Sequence, residues 1–454
     1  MNRIQVLFLS LALIAVAGCG NSGAPAGEPS ATSKPTDAPV VELSGELEVQ
    51  AFKGGYDIDY FQKTADEFQK LNPKLTIKVE GNPRVWEQLR PRFIGGTPPD
   101  LTFPGWGMDH WGLVDEGQLM ALDDALAQKP FEGEGTWKDS FQDGLLDLCK
   151  SDGKTYMLPY YVMVYGWWHN PDFFAANGWT VPKTWSELLS TCEKIKAKGI
   201  APITFQGQYP YYMLEGMLMP WANSIGGPDA VKAAQNLEPG AWKSPAFLQA
   251  AKMIDELNQK GYLQKGAVGM SHTEAQMEFL LGKAAMVPCG SWISSEMSKQ
   301  MAAMPKPPKL EFFLPPSVEG GQGDPSAMLI GIEPWMVPTK AKNPTAAVEL
   351  YRYMTSLKNA RRFVEEKGTL MSIKGSDQEV KLPEVLVKPA EAFKNSKQIW
   401  SNQYRMWYPD FQKEIENALT AMLNKEITPE QFCDRVEAKA EATRKDDMIT
   451  KHKL

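Results

Sequence analysis

Between residues 46 and 103 the spacing of apolar side chains switches repeatedly between a period of two and a helical period, and this limits the fold more than any other feature of the chain. Leu47, Val49 and Ala51 alternate with Glu48 and Gln50 and predict a strand over 46–52, which leaves into Lys53-Gly54-Gly55. Phe61, Ala65, Phe68 and Leu71 then share one face of a helix that Asn72-Pro73 stops. Leu75, Ile77 and Val79 alternate again. Residues 86–93 read as a second helix whose last turn Pro91 should disturb, and 100–103 as a third strand. Strand, helix, strand, helix, strand implies a parallel sheet with helices on its faces. Ligands of such sheets sit beyond the carboxyl ends of the strands, which singles out the loops 53–57 and 104–111.

A second α/β region begins near Pro159. Thr184-Trp185-Ser186-Glu187 opens a helix with the spacing of a capping box, running through Leu188, Leu189, Cys192 and Ile195 to Gly199. Helices are predicted over 245–260 and 273–281, and a short strand over 284–287 that runs towards Gly290-Ser291-Trp292. Residues 305–325 are rich in Pro and Gly and read as a lobe-connecting stretch; from Ala341 onward the chain reads as mostly helical. A chain of 454 residues is long enough for two or three lobes. With 48 Lys+Arg against 55 Asp+Glu and no dense basic run, nucleic acid is a poor partner.

Residues 1–18 carry Arg3 and then an apolar run from Val6 to Ala17, the layout of a secretory leader. The run is too short for a membrane span and ends Val16-Ala17-Gly18-Cys19, which resembles the bacterial lipobox, whose Cys is acylated. Residues 20–41 are Gly, Pro, Ser, Ala and Thr with no apolar face, and read as a flexible tether. The expected product is a body lipid-anchored to the outer face of a bacterial membrane. Cys149, Cys192, Cys289 and Cys433 are far apart with no CxxC, and are expected to be mostly buried thiols, although two disulfides are possible.

Six segments in order resemble the carbohydrate-type extracellular solute-binding proteins of ABC importers, the maltose-binding-protein group. They are Glu67 to Pro73 with Ile77-Lys78-Val79; Gly96-Thr97-Pro98-Pro99-Asp100; Gly117, Leu119, Leu122 and Asp123; Leu158-Pro159 with His169-Asn170, Asp172 and Phe174; Pro182-Lys183-Thr184-Trp185-Ser186-Glu187-Leu188; and Phe279 to Met286 with Gly290 and Trp292. His169 departs from the pattern, standing where the family usually has Tyr. The resemblance implies an α/β, two-lobe periplasmic-binding-protein-like fold with the ligand cleft between the lobes. On that reading 43–158 with about 325–375 form the N-terminal lobe, and 159–324 with about 376–454 the C-terminal lobe. It also implies a monomeric, non-enzymatic receptor without a cofactor, which closes on a sugar by a hinge motion and is read by a permease with its ATPase.

Sugar recognition needs aromatic faces for the C–H patches of a pyranose and planar polar groups for its hydroxyls. Trp292 matches a family position that commonly stacks on sugar. Trp106 and Asp109 follow the predicted third strand, and Tyr56 and Asp57 the first. Tyr160, Tyr161 and Tyr165 surround the first crossover; alternation sends one of them to the cleft or buries them. Gln206 and Tyr209 fall in a loop where the family often contacts ligand. Trp335 and Trp407 complete the candidates, each with a plain alternative as a core ring. There is no GxSxG, HExxH or P-loop, and only four His, so metal sites have little support. Asp57/Asp59 and Glu274/Glu278 are carboxylate pairs of the kind glycosidases use, but in so acidic a chain they read as solvated faces. An exported glycoside hydrolase and a receptor for a non-sugar solute are the alternatives.

Overall fold

The computed structural model describes residues 42–454; the leader over 1–18, Cys19 and the tether over 20–41 lie outside the described residues. Gly45–Phe52 is the middle strand of a three-stranded parallel sheet, between Leu75–Asn82 and Leu101–Phe103. The helices Asp59–Leu71 and Val85–Ile94 make the crossovers. Pro91 does not end the second helix: it lacks its own donor, but its carbonyl still accepts from Gly95 N at 2.9 Å.

The larger sheet has Ile399–Ser401, Met328–Trp335, Leu158–His169, Ala284–Gly290 and Ala201–Ile203 in that order. All 12 residues of Leu158–His169 are buried, which explains why aromatic residues run together along it with no alternation. One end of this strand pairs with Met328–Trp335 and Leu370–Met371, the other with Ala284–Gly290 and Glu311–Phe313. Residues 305–325 are thus not only a connection, since a strand inside them joins the sheet.

Two hydrophobic cores meet along this long strand. Val164 belongs to the core that holds Val49, Phe61, Leu350 and Phe363. Trp167, three residues on, belongs to the core of Leu188, Trp221, Trp242, Ile254 and Phe411. An α/β fold with two cores is thus joined by a continuous strand.

The longest stretch without a counterpart in the sequence reading is the helical run Tyr211–Met213, Leu214–Leu218 and Met219–Gln235; the strand Met328–Trp335 was not foreseen either. Residues 212–219 are all buried, so no polar face betrays a helical period. The middle segment is π-helical, and Gly227 breaks the last one at φ +73°. Thr184 caps Trp185–Lys196 as predicted, but Glu187 reaches past it to Lys183 N at 2.7 Å. Full capping boxes belong to Ser271 and Glu274, on the helix His272–Leu280, and to Thr428 and Gln431, on Pro429–Lys445. Cys149, Cys192, Cys289 and Cys433 are buried and unpaired. No helix among the described residues is long and apolar enough to cross a membrane.

Candidate functional site

The carboxyl ends of Gly45–Phe52 and Ala284–Gly290 open on one cleft of about 1200 Å³. Small-molecule pockets run to roughly 300–1000 Å³, so this one has room for more than a compact solute. Its rings come from Phe52, Tyr56, Trp86, Trp106, Tyr161, Tyr165, Tyr209, Tyr211, Tyr212 and Trp292.

The first wall is built from loops. Lys53 pairs with Asp57 at 3.2 Å, and Asp57 takes the left-handed φ of +56° while accepting from Ile58 N at 2.7 Å. Burial works against the charge on Asp57, yet that N–H and Lys53 hold its carboxyl below the ordinary value. Tyr56 packs edge-on to Tyr161 at 4.8 Å, and its hydroxyl meets Ser291 Oγ at 3.2 Å. The Tyr161 hydroxyl donates to Glu333, whose other oxygen accepts from Trp335 Nε1 at 2.9 Å. Burial pushes the Glu333 carboxyl up to about 8. Trp86 lies against the 105–107 loop so closely that a Cβ on Gly107 would come within 2.3 Å of its ring.

The second wall is helical apart from one turn. Trp292 folds back over the end of its own strand, and a Cβ on Gly290 would sit 1.9 Å from its ring, so only glycine fits there. Its indole N–H donates to Tyr212 Oη at 3.2 Å, and its ring meets Tyr165 edge-on at 5.4 Å. Arg405, on the short helix Tyr404–Trp407, lies 3.9 Å from the Tyr211 ring centre and 5.5 Å from that of Trp106. Its Nε is 3.6 Å from Glu215 Oε1, on the π-helical turn. Burial raises the Glu215 carboxyl above its ordinary value against the pull of Arg405. At the rim Tyr209 is 42% exposed and its ring meets His272, which pairs with Glu296 at 3.3 Å. The hydrogen bond to Glu296 raises the His272 imidazole above its ordinary value.

Of the residues singled out from sequence, Tyr56, Asp57, Trp106, Tyr161, Tyr209 and Trp292 line the cleft. Five do not. Tyr160 is fully buried among Phe61, Phe363 and Tyr351, because strand alternation sends it to the opposite face from Tyr161. Trp335 is 1% exposed in the same core. Gln206 is turned inward, donating to Pro288 O at 3.0 Å. Asp109 spends its carboxylate on capping His110–Asp115 through Gly112 N at 2.9 Å. Trp407 stacks on His452 at 5.4 Å, while Arg405, two residues earlier, is the one that lines the cleft.

Tyr165, weighed with Tyr160 and Tyr161 at the first crossover, lines the cleft too, and Phe52, Trp86, Tyr211, Tyr212, Glu296 and Arg405 do so without having been picked out as site residues. Phe52 and Trp86 had a usable signal, flanking loops already marked as strand ends. Arg405 had none. The cleft carboxylates are tied to basic side chains, Asp57 to Lys53, Asp59 to Lys367, Glu296 to His272 and Glu416 to Lys413. Among the described residues no group of three or more His, Cys, Asp or Glu could hold a metal ion.

Two cores joined by one strand, with an aromatic cleft at the strand ends, define a solute-binding architecture. Residues 54–361 match the family of bacterial extracellular solute-binding proteins, and the chain belongs to that family. It is 30% identical over 387 residues to a diacetylchitobiose binding protein of Streptomyces coelicolor, covering 80% of this chain and 79% of that one. It is 24% identical over 366 residues to a multiple sugar-binding protein of Streptococcus mutans, covering 79% and 82%. The fold matches that of a chitin oligosaccharide binding protein with a TM-score of 0.71, at 21% identity over 88% of this chain and 98% of the other.

Proposed function

We propose that this chain is the sugar-binding receptor of an ABC importer. It captures a sugar or oligosaccharide by hinge closure and delivers it to a permease with its ATPase. The aromatic cleft carries the reading: rings cover the apolar faces of a pyranose, and the paired polar groups between them meet its hydroxyls. The relatives named for diacetylchitobiose and for multiple sugars point to the same ligand class. The lobes are taken as 43–158 with about 325–375 and 159–324 with about 376–454. The second core supports that division, drawing only on residues of the proposed C-terminal lobe, whereas the first core draws on both lobes.

The receptor works as a monomer, without a cofactor, and is lipid-anchored through Cys19 on the outer face of a bacterial membrane. It is not an enzyme. Glycoside hydrolysis needs an acid and a base facing one bond; here the carboxylates that line the cleft are paired with basic side chains. Glu333, whose carboxyl is held high, is buried beneath Tyr161.

Thermal unfolding against a panel of mono- and oligosaccharides tests this. A bound sugar raises the midpoint by an amount that grows with its concentration over Kd, and Trp292→Ala abolishes the shift. No shift with any sugar, together with cleavage of a glycoside, would return the chain to the hydrolase reading.

A further inference from the structure

Arg405 is a strongly basic group sunk between the Trp106 and Tyr211 rings of the cleft. Its side chain is only 13% exposed, yet it lines the cleft. Among the described residues its partners are two rings and the Glu215 carboxyl at 3.6 Å, and none of its N–H groups makes a hydrogen bond. A guanidinium carries five N–H donors in a planar fork, and leaving them unmet in a buried place is costly. Stacking against Tyr211 fixes the plane of the fork. Below it Glu215 is held by Asn402 Nδ2 at 3.4 Å, and Asn402 in turn donates to Gln412 at 3.3 Å.

The charges around the fork decide what it accepts. Glu215 lies against the fork at 3.6 Å, and Glu416 lines the same cleft and acts on its charge, so a ligand carboxylate placed there would meet acidic groups. A ligand ammonium would meet the guanidinium itself. A neutral oxygen meets neither penalty and fills the donors.

We propose that Arg405 is a specificity-determining residue of this cleft, its fork taking neutral oxygen acceptors of the sugar, and that Glu215 positions it and turns away anionic ligands. The acceptor is a pair of ring hydroxyls or the carbonyl of an acetamido group. The assignment rests on the sugar-receptor reading above.

Isothermal titration of the full chain with raffinose, N,N′-diacetylchitobiose, fully deacetylated chitobiose and digalacturonate tests it. One of the two neutral probes should bind at least about tenfold tighter than either charged one; which of them does so tells a hydroxyl pair from an acetamido carbonyl. Arg405→Lys keeps the charge but loses the fork, and should weaken that probe by about 10- to 100-fold with no change in the ligand-free unfolding midpoint. Glu215→Gln should narrow the preference over digalacturonate by about tenfold. A wild-type preference for either charged probe overturns the assignment and leaves the receptor reading standing. So does neutral-sugar binding that survives intact in both Arg405→Lys and Arg405→Met. Wild type that binds none of the four, with no shift across the wider sugar panel, overturns the receptor reading and this assignment with it.

Discussion

On one side of the cleft the rings hang from short loops at strand ends, as Tyr56 and Trp106 do. On the other, Tyr211, Tyr212 and Arg405 ride on helical segments. The loop side takes its geometry from what lies beneath it: Tyr161 stands on Glu333, and Glu333 on Trp335. The helical side holds its groups against each other, Trp292 on Tyr212 and Arg405 on Tyr211. One side is therefore damaged most by changes in the core, the other by changes within the cleft itself.

The sharpest way to break that contrast is Trp335→Ala. Removing a fully buried indole should cost about 3–5 kcal/mol and leave Glu333 without one of its two donors. Urea unfolding measures it; a loss below about 1 kcal/mol would mean the first wall does not depend on the core.

Glu333 itself makes stability depend on pH. Its carboxyl stands up at about 8 in the fold, against about 4.3 for a free glutamate. Between those values the folded chain keeps a proton that the unfolded chain has released, so this group's contribution weakens as pH rises through the window. The slope is at most about 1.4 kcal/mol per pH unit. Glu333→Gln should flatten it, and superimposable profiles for the two proteins from pH 5 to 8 would place the carboxyl in water instead.

On the second wall Gly290→Ala should cost about 1–3 kcal/mol, because the new methyl overlaps the Trp292 ring. Sugar affinity should fall further than stability does; an equal fall in both would merge the two walls into one kind. Ser271→Ala removes the capping box of the helix that begins with His272, at about 1 kcal/mol in the same unfolding assay.

The smallest effect is at the rim. His272 is raised by Glu296, so the pair's contribution is fully present below about 6.5 and is lost as pH rises through the folded value. An NMR titration should find His272 above that reference in wild type and lower in Glu296→Gln. Equal values in the two would detach Tyr209 and His272 from the second wall.

Most of the loop side was legible in the sequence. Alternation located the strands, Lys53-Gly54-Gly55 marked the exit of the first, and Trp106 fell just past the third. The helical side was largely hidden. Residues 212–219 are buried all round and carry no amphipathic period, and Arg405 sits in an unremarkable Arg405-Met406-Trp407 stretch where Trp407 drew the attention. Trp335 and Tyr160 failed as cleft candidates for a related reason, since the rings of a large core and those of a sugar site are the same residues.

The sequence by itself determined the βαβ order and the helix that Thr184 caps, because those rest on residues a few positions apart. It also showed the six segments shared with a transport family. Only the tertiary structure decided that Tyr161 and not Tyr160 lines the cleft, that Trp292 folds over Gly290, and that Glu215 lies under Arg405, 190 positions later. Those outcomes depend on which strand faces and helix ends are packed together, and contacts over such distances leave no periodic trace in the chain.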